Sequence, residues 1–509
     1  MRKTISALFV LTLTLGVSSC GQRELTLGEL VPQNAAAALH VPSPRAFLQG
    51  MAEFAKQSGA AGFLGDDTLP EGVLKLLGMT DDEAAGFLAA LDIDRALGAY
   101  ATLGESGGLG IYILVPVTGP GAILGKRMAG AGLAVDGPFG GYLVVRDAAT
   151  AEFRRPRKDA ALGGLLSGDD PGRAYVVLRQ ASLPGAALSP SGVGSAALPD
   201  AWVSLSVGAD AESVYGGLAA GGLTSGGKAE TGASATDADT QSLVFSKELN
   251  TLEFFGVVSV STGASGALPG AYPGAEAFGQ SMDAFNKLAA ELRGRSYLSV
   301  RLDPRALDWP PDPDSLSLGA TLSLGDTDAF RRALDGFAQS LNAALPALLG
   351  KAASDSRPRV ERIPTANAAN QDAFALRDGG SEPGMLVTVD YSGGTAAVSA
   401  VQAGRGASVP VMEPGDADLL SGMDAYRVLA RRLPSSLSTL GHLSLAQAAN
   451  ALARARGLSV RFNERTPGLV FGAERGGDTV AVEWAVGTDE ISVYLLDLFP
   501  VLAAGRPPR

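Results

Sequence analysis

The chain has 509 residues, 46% of them hydrophobic and 18% charged, with 66 glycines, 29 prolines and a single cysteine. That apolar share is enough to build real cores in about two to four domains, which excludes disorder throughout, and one cysteine excludes a disulfide scaffold. Lys+Arg 41 against Asp+Glu 53 gives a net charge of −12, the wrong balance for a duplex nucleic-acid binder.

The amino terminus reads as an export signal. Arg2 and Lys3 form a positive start, and Ile5 to Val17 is an apolar stretch too short to span a bilayer comfortably. It runs into Val17-Ser18-Ser19-Cys20-Gly21, small residues directly before the cysteine. This arrangement resembles the lipobox of bacterial lipoproteins. The resemblance implies that the Cys20 sulfur is acylated and that residues 1–19 are cut away, leaving 20–33 as a lipidated tether. It also implies, through Gly21 rather than an aspartate after the cysteine, sorting to an outer membrane facing the periplasm where the cell has two membranes. An ordinary secretory signal with an incidental cysteine is the competing reading. Acylation would account for a lone thiol in an exported protein, which is otherwise a redox liability. Two or three acyl chains, at about 0.8 kcal/mol per buried methylene, anchor stably where one does not. Loss of Arg2 and Lys3 without any acid takes the charge from −12 to −14, so attachment would rest on the lipid with little help from the protein surface. No other segment can span a membrane: Ile111 to Val117 is short and contains Pro116.

Leu30-Val-Pro-Gln-Asn-Ala-Ala-Ala-Ala-Leu-His-Val41 then leads into a strand. It resembles the opening of an exported bacterial family of unknown function with α+β repeats, although Val31 interrupts the phrase here; that family brings no activity with it.

Phrases recur in the same order along the chain. Ser43-Pro-Arg-Ala-Phe47 echoes Asp303-Pro-Arg-Ala-Leu307, Ile113 to Gly119 echoes Ala320 to Gly325, and Gly141 to Val145 echoes Gly384 to Thr388. Leu165 to Asp170 echoes Leu419 to Asp424, and Ser206 to Tyr215 echoes Ala485 to Tyr494 with six of ten positions identical. The expected organisation is α+β with two homologous halves, 34–265 and 285–509, joined by 266–284, each mainly antiparallel sheet with helices packed on one face. Ser43-Pro44 and Asp303-Pro304 combine an N-cap acceptor with proline at the first helical position. Gly208-Ala-Asp210, Gly325-Asp326 and Gly487-Thr-Asp489 are each expected to close a strand and open a helix.

Strands are predicted at 111–117, 142–145, 174–178, 202–207, 252–260, 298–302, 385–389 and 480–486. Met282, Phe285, Leu288 and Leu292 mark one amphipathic helix stopped by Gly294. Phe330, Leu334, Phe337, Leu341 and Leu345 mark another, which Pro346 should end or kink. Residues 221–241, 262–274 and 351–384 read as irregular, and the tail 505–509 has nothing to hold it.

Chemical motifs are sparse. Gly104-Glu-Ser106-Gly-Gly108 fits the nucleophile-elbow pattern, but the elbow needs a strand before the serine and here the strand follows. A triad would have to use His40 or His442, the two histidines of the chain. Gly222 to Lys228 and Gly119 to Lys126 miss the phosphate-loop pattern at the hydroxyl residue after the lysine, Ala229 and Arg127 standing there, and Pro120 further disturbs the second. Asp312/Asp314 and Glu413/Asp416/Asp418 lack calcium-loop spacing. Arg154, Arg155, Arg157 and Lys158 form a basic run, either a solvated face or a docking patch.

The expectation is therefore a lipid-anchored envelope protein, non-enzymatic, binding or scaffolding, held to the membrane through acylated Cys20, with no cofactor, no metal and no nucleic-acid partner. The alternatives are a serine hydrolase using Ser106 and a carrier of an apolar ligand in a cleft between the halves.

Overall fold

The computed structural model describes residues 25–59, 82, 91–103, 109–118, 133–156, 170–179, 202–221, 252–257, 275–293, 295–302, 316–348, 358–378, 383–402, 423–434, 439–446, 448–450, 468–476 and 479–493. The chain divides into two compact units, one comprising 1–188, 197–223 and 491–509, the other 189–196 and 224–490. The fold is α+β, dominated by antiparallel strands.

In the first unit the strands are β1 (Ala37–Val41), β2 (Leu97–Leu103), β3 (Leu109–Pro116), β4 (Leu133–Phe139), β5 (Tyr142–Asp147), β6 (Arg173–Arg179), β7 (Trp202–Ala209) and β8 (Ser213–Gly221). Every pairing is antiparallel, in the spatial order β4-β5-β3-β2-β1-β6-β7-β8. Between β4 and β5, Gly140 and Gly141 take φ of 55° and 87°, the left-handed pair that a two-residue hairpin turn requires. Helix α1 (Pro44–Gln57) starts as its sequence predicts, with the Ser43 hydroxyl accepting from the Ala46 N–H at 3.2 Å and proline in the first turn.

One face of this sheet is closed by the chain's own leading segment. Leu25, Leu27, Leu30, Val31 and Ala35 pack on Tyr100, Tyr112, Leu114, Tyr142, Val144 and Val177. Gly98 makes room for the closure, since a Cβ there would meet the Leu27 side chain. Arg95 fastens it, donating to the Leu25 and Gly140 carbonyls at 2.7 Å each with its guanidinium over the Tyr142 ring. Tyr100 and Tyr112 stack at 4.8 Å beneath.

In the second unit the strands are β9 (Leu252–Val257), β10 (Arg295–Leu302), β11 (Leu316–Ser323), β12 (Pro358–Ile363), β13 (Gln371–Asp378), β14 (Met385–Ser392), β15 (Thr395–Gln402), β16 (Thr439–Leu443), β17 (Leu469–Gly476) and β18 (Thr479–Gly487). Their order is β12-β13-β14-β15-β11-β10-β9-β16-β17-β18, again wholly antiparallel. Helices α2 (Ala275–Ala290) and α3 (Thr327–Leu348) lie together, and α4 (Asp424–Ala430) packs by β17 and β18; α5 (Thr488–Val493) follows β18 directly. The Asp326 carboxylate caps α3 by accepting from the Ala329 N–H at 2.9 Å. The helix ends two residues beyond Pro346, which sits in its last turn.

Several sequence expectations need revision. The segment 351–384 contains β12 and β13. Its strands were hidden because β12 is an edge strand that alternates charges, Arg359, Glu361 and Arg377 compensating one another across the pair, which is how exposed edges avoid association. Gly208-Ala-Asp210 opens a strand, not a helix: the Asp210 carboxylate accepts from the Glu212 and Ser213 N–H groups at 2.9 and 2.8 Å and closes the β7–β8 hairpin. The counterpart phrase does open a helix, α5, so the most similar pair of phrases folds in two different ways. Strand order also differs between the units. β3 neighbours β5, whereas β11 and β14, which carry the echoing phrases, are separated by β15. β9, from within 34–265, pairs with β10 and β16.

Candidate functional site

Most of the residues singled out by chemistry, namely Cys20, Ser106, Arg157, Lys158, both phosphate-loop-like segments and both acidic clusters, lie outside the described residues. Arg154 and Arg155 are exposed. The two histidines sit in strands. His442, in β16, is wholly buried and lies in register with Val470 of β17. His40, in β1, is 6% exposed, stacks on Tyr175 with ring centroids 6.0 Å apart, and its Nδ1 has no hydrogen-bond partner among the described residues. Burial pushes its pKa down to about 4, so it is neutral at pH 7. A general base works best with a pKa near the operating pH, and His40 is far from that. Among the described residues, no three His, Cys, Asp or Glu side chains gather as a metal-ligand set.

The densest polar centre surrounds Asp372, 3% exposed on β13. Arg331 of α3 grips its carboxylate with two donors, at 3.0 and 2.8 Å, Tyr391 Oη donates to it at 2.9 Å, and Arg362 of β12 donates as well. Arg331 also donates to the Ala368 and Ala369 carbonyls at 2.9 Å each, and Arg362 reaches Asp335 at 2.7 Å. Burial raises the Asp372 pKa, and the three donors together outweigh it, so the carboxyl is held below the usual carboxylate range. Tyr391 is pushed upward, first by burial and then by its bond to Asp372. A hollow of about 370 Å³ opens beside this centre, with Thr365 and Gln371 among its lining. Its polar groups are already paired: Thr365 Oγ1 donates to the Gln371 carbonyl at 3.2 Å and Gln371 Nε2 to Asp390 at 2.8 Å. The centre therefore serves as a clamp joining α3 to β12, β13 and β14. Sequence reading missed it because Asp372 falls in the stretch read as irregular; the one sequence trace is Arg331 and Asp335, four residues apart on α3.

The surface with an unmet physical demand is the second face of the first sheet. Side chains opposite one another across strands share a face. The register sets Val135, Val145, Ile113, Ala99, Leu39, Val176, Leu205 and Leu218 in one row across all eight strands. At the β4–β5 end this row is buried in a core of Val115, Val117, Leu133, Leu143 and Val145. Toward β8 it opens: Leu39 is 36% exposed, Leu205 46%, Val207 44% and Leu218 45%; beside β5, the leading end of β3 is open as well, with Ile111 and Leu109 at 49% and 59%. In β7 the usual alternation is inverted, because Ser204 and Ser206 occupy the more covered face while Leu205 and Val207 face water. Scattered exposed aliphatics are ordinary; a contiguous set marks an interaction surface.

Comparison of the chain with protein-family models, curated proteins and solved structures finds no match.

Two outcomes follow from these environments. His40 takes up a proton on unfolding at any pH between about 4 and its ordinary 6.5. Stability is therefore complete above pH 6.5 and falls as the pH drops, by about 3 kcal/mol at pH 4; His40→Leu should flatten that slope in urea titrations at several pH values. Asp372→Asn should cost about 3–5 kcal/mol by leaving two guanidinium groups without their carboxylate, and Tyr391→Phe about 1.5–3 kcal/mol. The Asp372→Asn deficit should shrink as the pH falls below about 3.9, where the unfolded wild-type chain takes up a proton that the folded carboxyl, held lower, does not yet accept.

Proposed function

We propose that this chain is a lipid-anchored cell-envelope protein that works by binding, with the open apolar face of the first sheet as its contact surface for a protein partner. One observation carries the reading: an aliphatic row that crosses eight strands is buried at one end and open to water at the other. An extended sheet face suits a macromolecular partner better than a small molecule, which binds in concave sites. The neutral, buried His40 supports binding over acid–base catalysis. The order of charge, apolar stretch, small residues and Cys20 supports an acylated amino terminus and an address at the outer membrane of a two-membrane cell. A duplicated origin of the two units is supported by five ordered phrases, while the unequal strand orders weigh against it.

Intact-mass analysis of the protein from its native membrane should find residues 1–19 removed and Cys20 carrying acyl chains, whereas Cys20→Ala should keep the leader. A bare thiol in the wild type would overturn the anchor. A fluorophosphonate probe should leave the protein unlabelled; labelling that disappears on Ser106→Ala would make it a hydrolase instead.

A further inference from the structure

Helices α2 and α3 meet through Phe285 and Phe337, ring centroids 5.8 Å apart, and through Ser281 Oγ donating to the Ser340 carbonyl at 3.1 Å. Between them and the strands lies a cavity of about 250 Å³, lined by Phe285, Leu288 and Leu292 of α2, Ser296 and Leu298 of β10, and Phe330 of α3. Ser296 and Leu298 share one face of β10 by alternation. Ser296 is 5% exposed, and its hydroxyl has no hydrogen-bond partner among the described residues. A buried hydroxyl left unpaired destabilises the fold, and alanine, which drops the hydroxyl and adds no carbon, would not. The polar atom therefore stands against an otherwise aliphatic and aromatic wall. Phe285 is 39% exposed, so the wall reaches solvent beside it.

We propose that this cavity binds a single aliphatic chain bearing an uncharged hydrogen-bonding group, hydroxyl or carbonyl, which pairs with Ser296 Oγ. At about 30 Å³ per water-sized group, the volume takes about eight methylene-sized units, so the end of a ten-carbon chain emerges beside the exposed Phe285. Among the described residues that line it there is no lysine, arginine or histidine, so a carboxylate head would be an unpaired buried charge there. The site lies within the second unit and is independent of both the anchor and the open sheet face.

The test is photolabelling of the full chain, in membranes from the cells that make it, with a ten-carbon alcohol carrying an alkyl diazirine. The label should fall on peptides spanning 285–298 and be displaced by 1-decanol, with decane about tenfold weaker and decanoate weaker still. Ala289, buried in the α2 wall of the cavity, is the position to fill: Ala289→Trp should abolish labelling. Ser296→Ala should weaken labelling about tenfold, the loss of one hydrogen bond, while leaving the Tm of the unliganded chain unchanged or raised; a serine with a structural hydrogen bond would lower the Tm when replaced. Label spread over the chain without preference for 285–298 overturns the site. Ser296→Ala labelled as strongly as the wild type, or decane competing as well as 1-decanol, overturns the role of the hydroxyl, whether or not Ala289→Trp folds.

Discussion

A sheet whose strands carry aliphatic side chains on both faces has to cover both or leave one for something else, because each exposed aliphatic group forgoes the gain of leaving water. The first unit lives under that constraint. Its leading segment closes one face through Leu27, Leu30 and Val31, and Gly98 lets that segment approach closely. On the other face, an aliphatic core closes around Val115, Leu143 and Val145. From Leu39 through Leu205 to Leu218 the same row continues into solvent.

The second unit meets a different demand. There α3 is tied to the sheet by a charge that burial alone would penalise, and the site holds because every acceptor position on Asp372 is matched by Arg331, Arg362 or Tyr391. Such a centre fixes the packing of α3 against β12–β14 more than it adds net stability, since burying ions costs about as much as pairing them returns. Because its donors are spent inward, the hollow beside it offers an incoming ligand little that is unpaired. The Ser296 hydroxyl differs in this respect: it is polar, buried and unanswered.

Much of the secondary structure was legible in the sequence where local chemistry suffices. Ser43-Pro44 reads correctly as a helix start, and the Phe330–Leu334–Phe337 stripe as a core-facing helix. Alternation located β3, β5, β6, β7 and β14. It failed at β12, where charges mask an edge strand, and at β15, whose alanines carry little strand signal. Asp210 shows a deeper limit, because an aspartate after glycine can cap a helix or close a hairpin, and only the strand that follows decides. The candidate surface was not legible at all. Leu205 and Val207 look like core residues in sequence, and only the register and the position of the covering segment reveal that they face outward.

The central claim is that this outward row is covered in the cell. Hydroxyl-radical footprinting of the protein in its native envelope and after purification compares the same side chains in both settings. The account predicts that Leu205, Val207 and Leu218 are shielded in the envelope and oxidised once purified, while the exposed Arg154 and Arg155, which are not part of that row, react alike in both. Equal oxidation of the three aliphatic residues in both settings would contradict it.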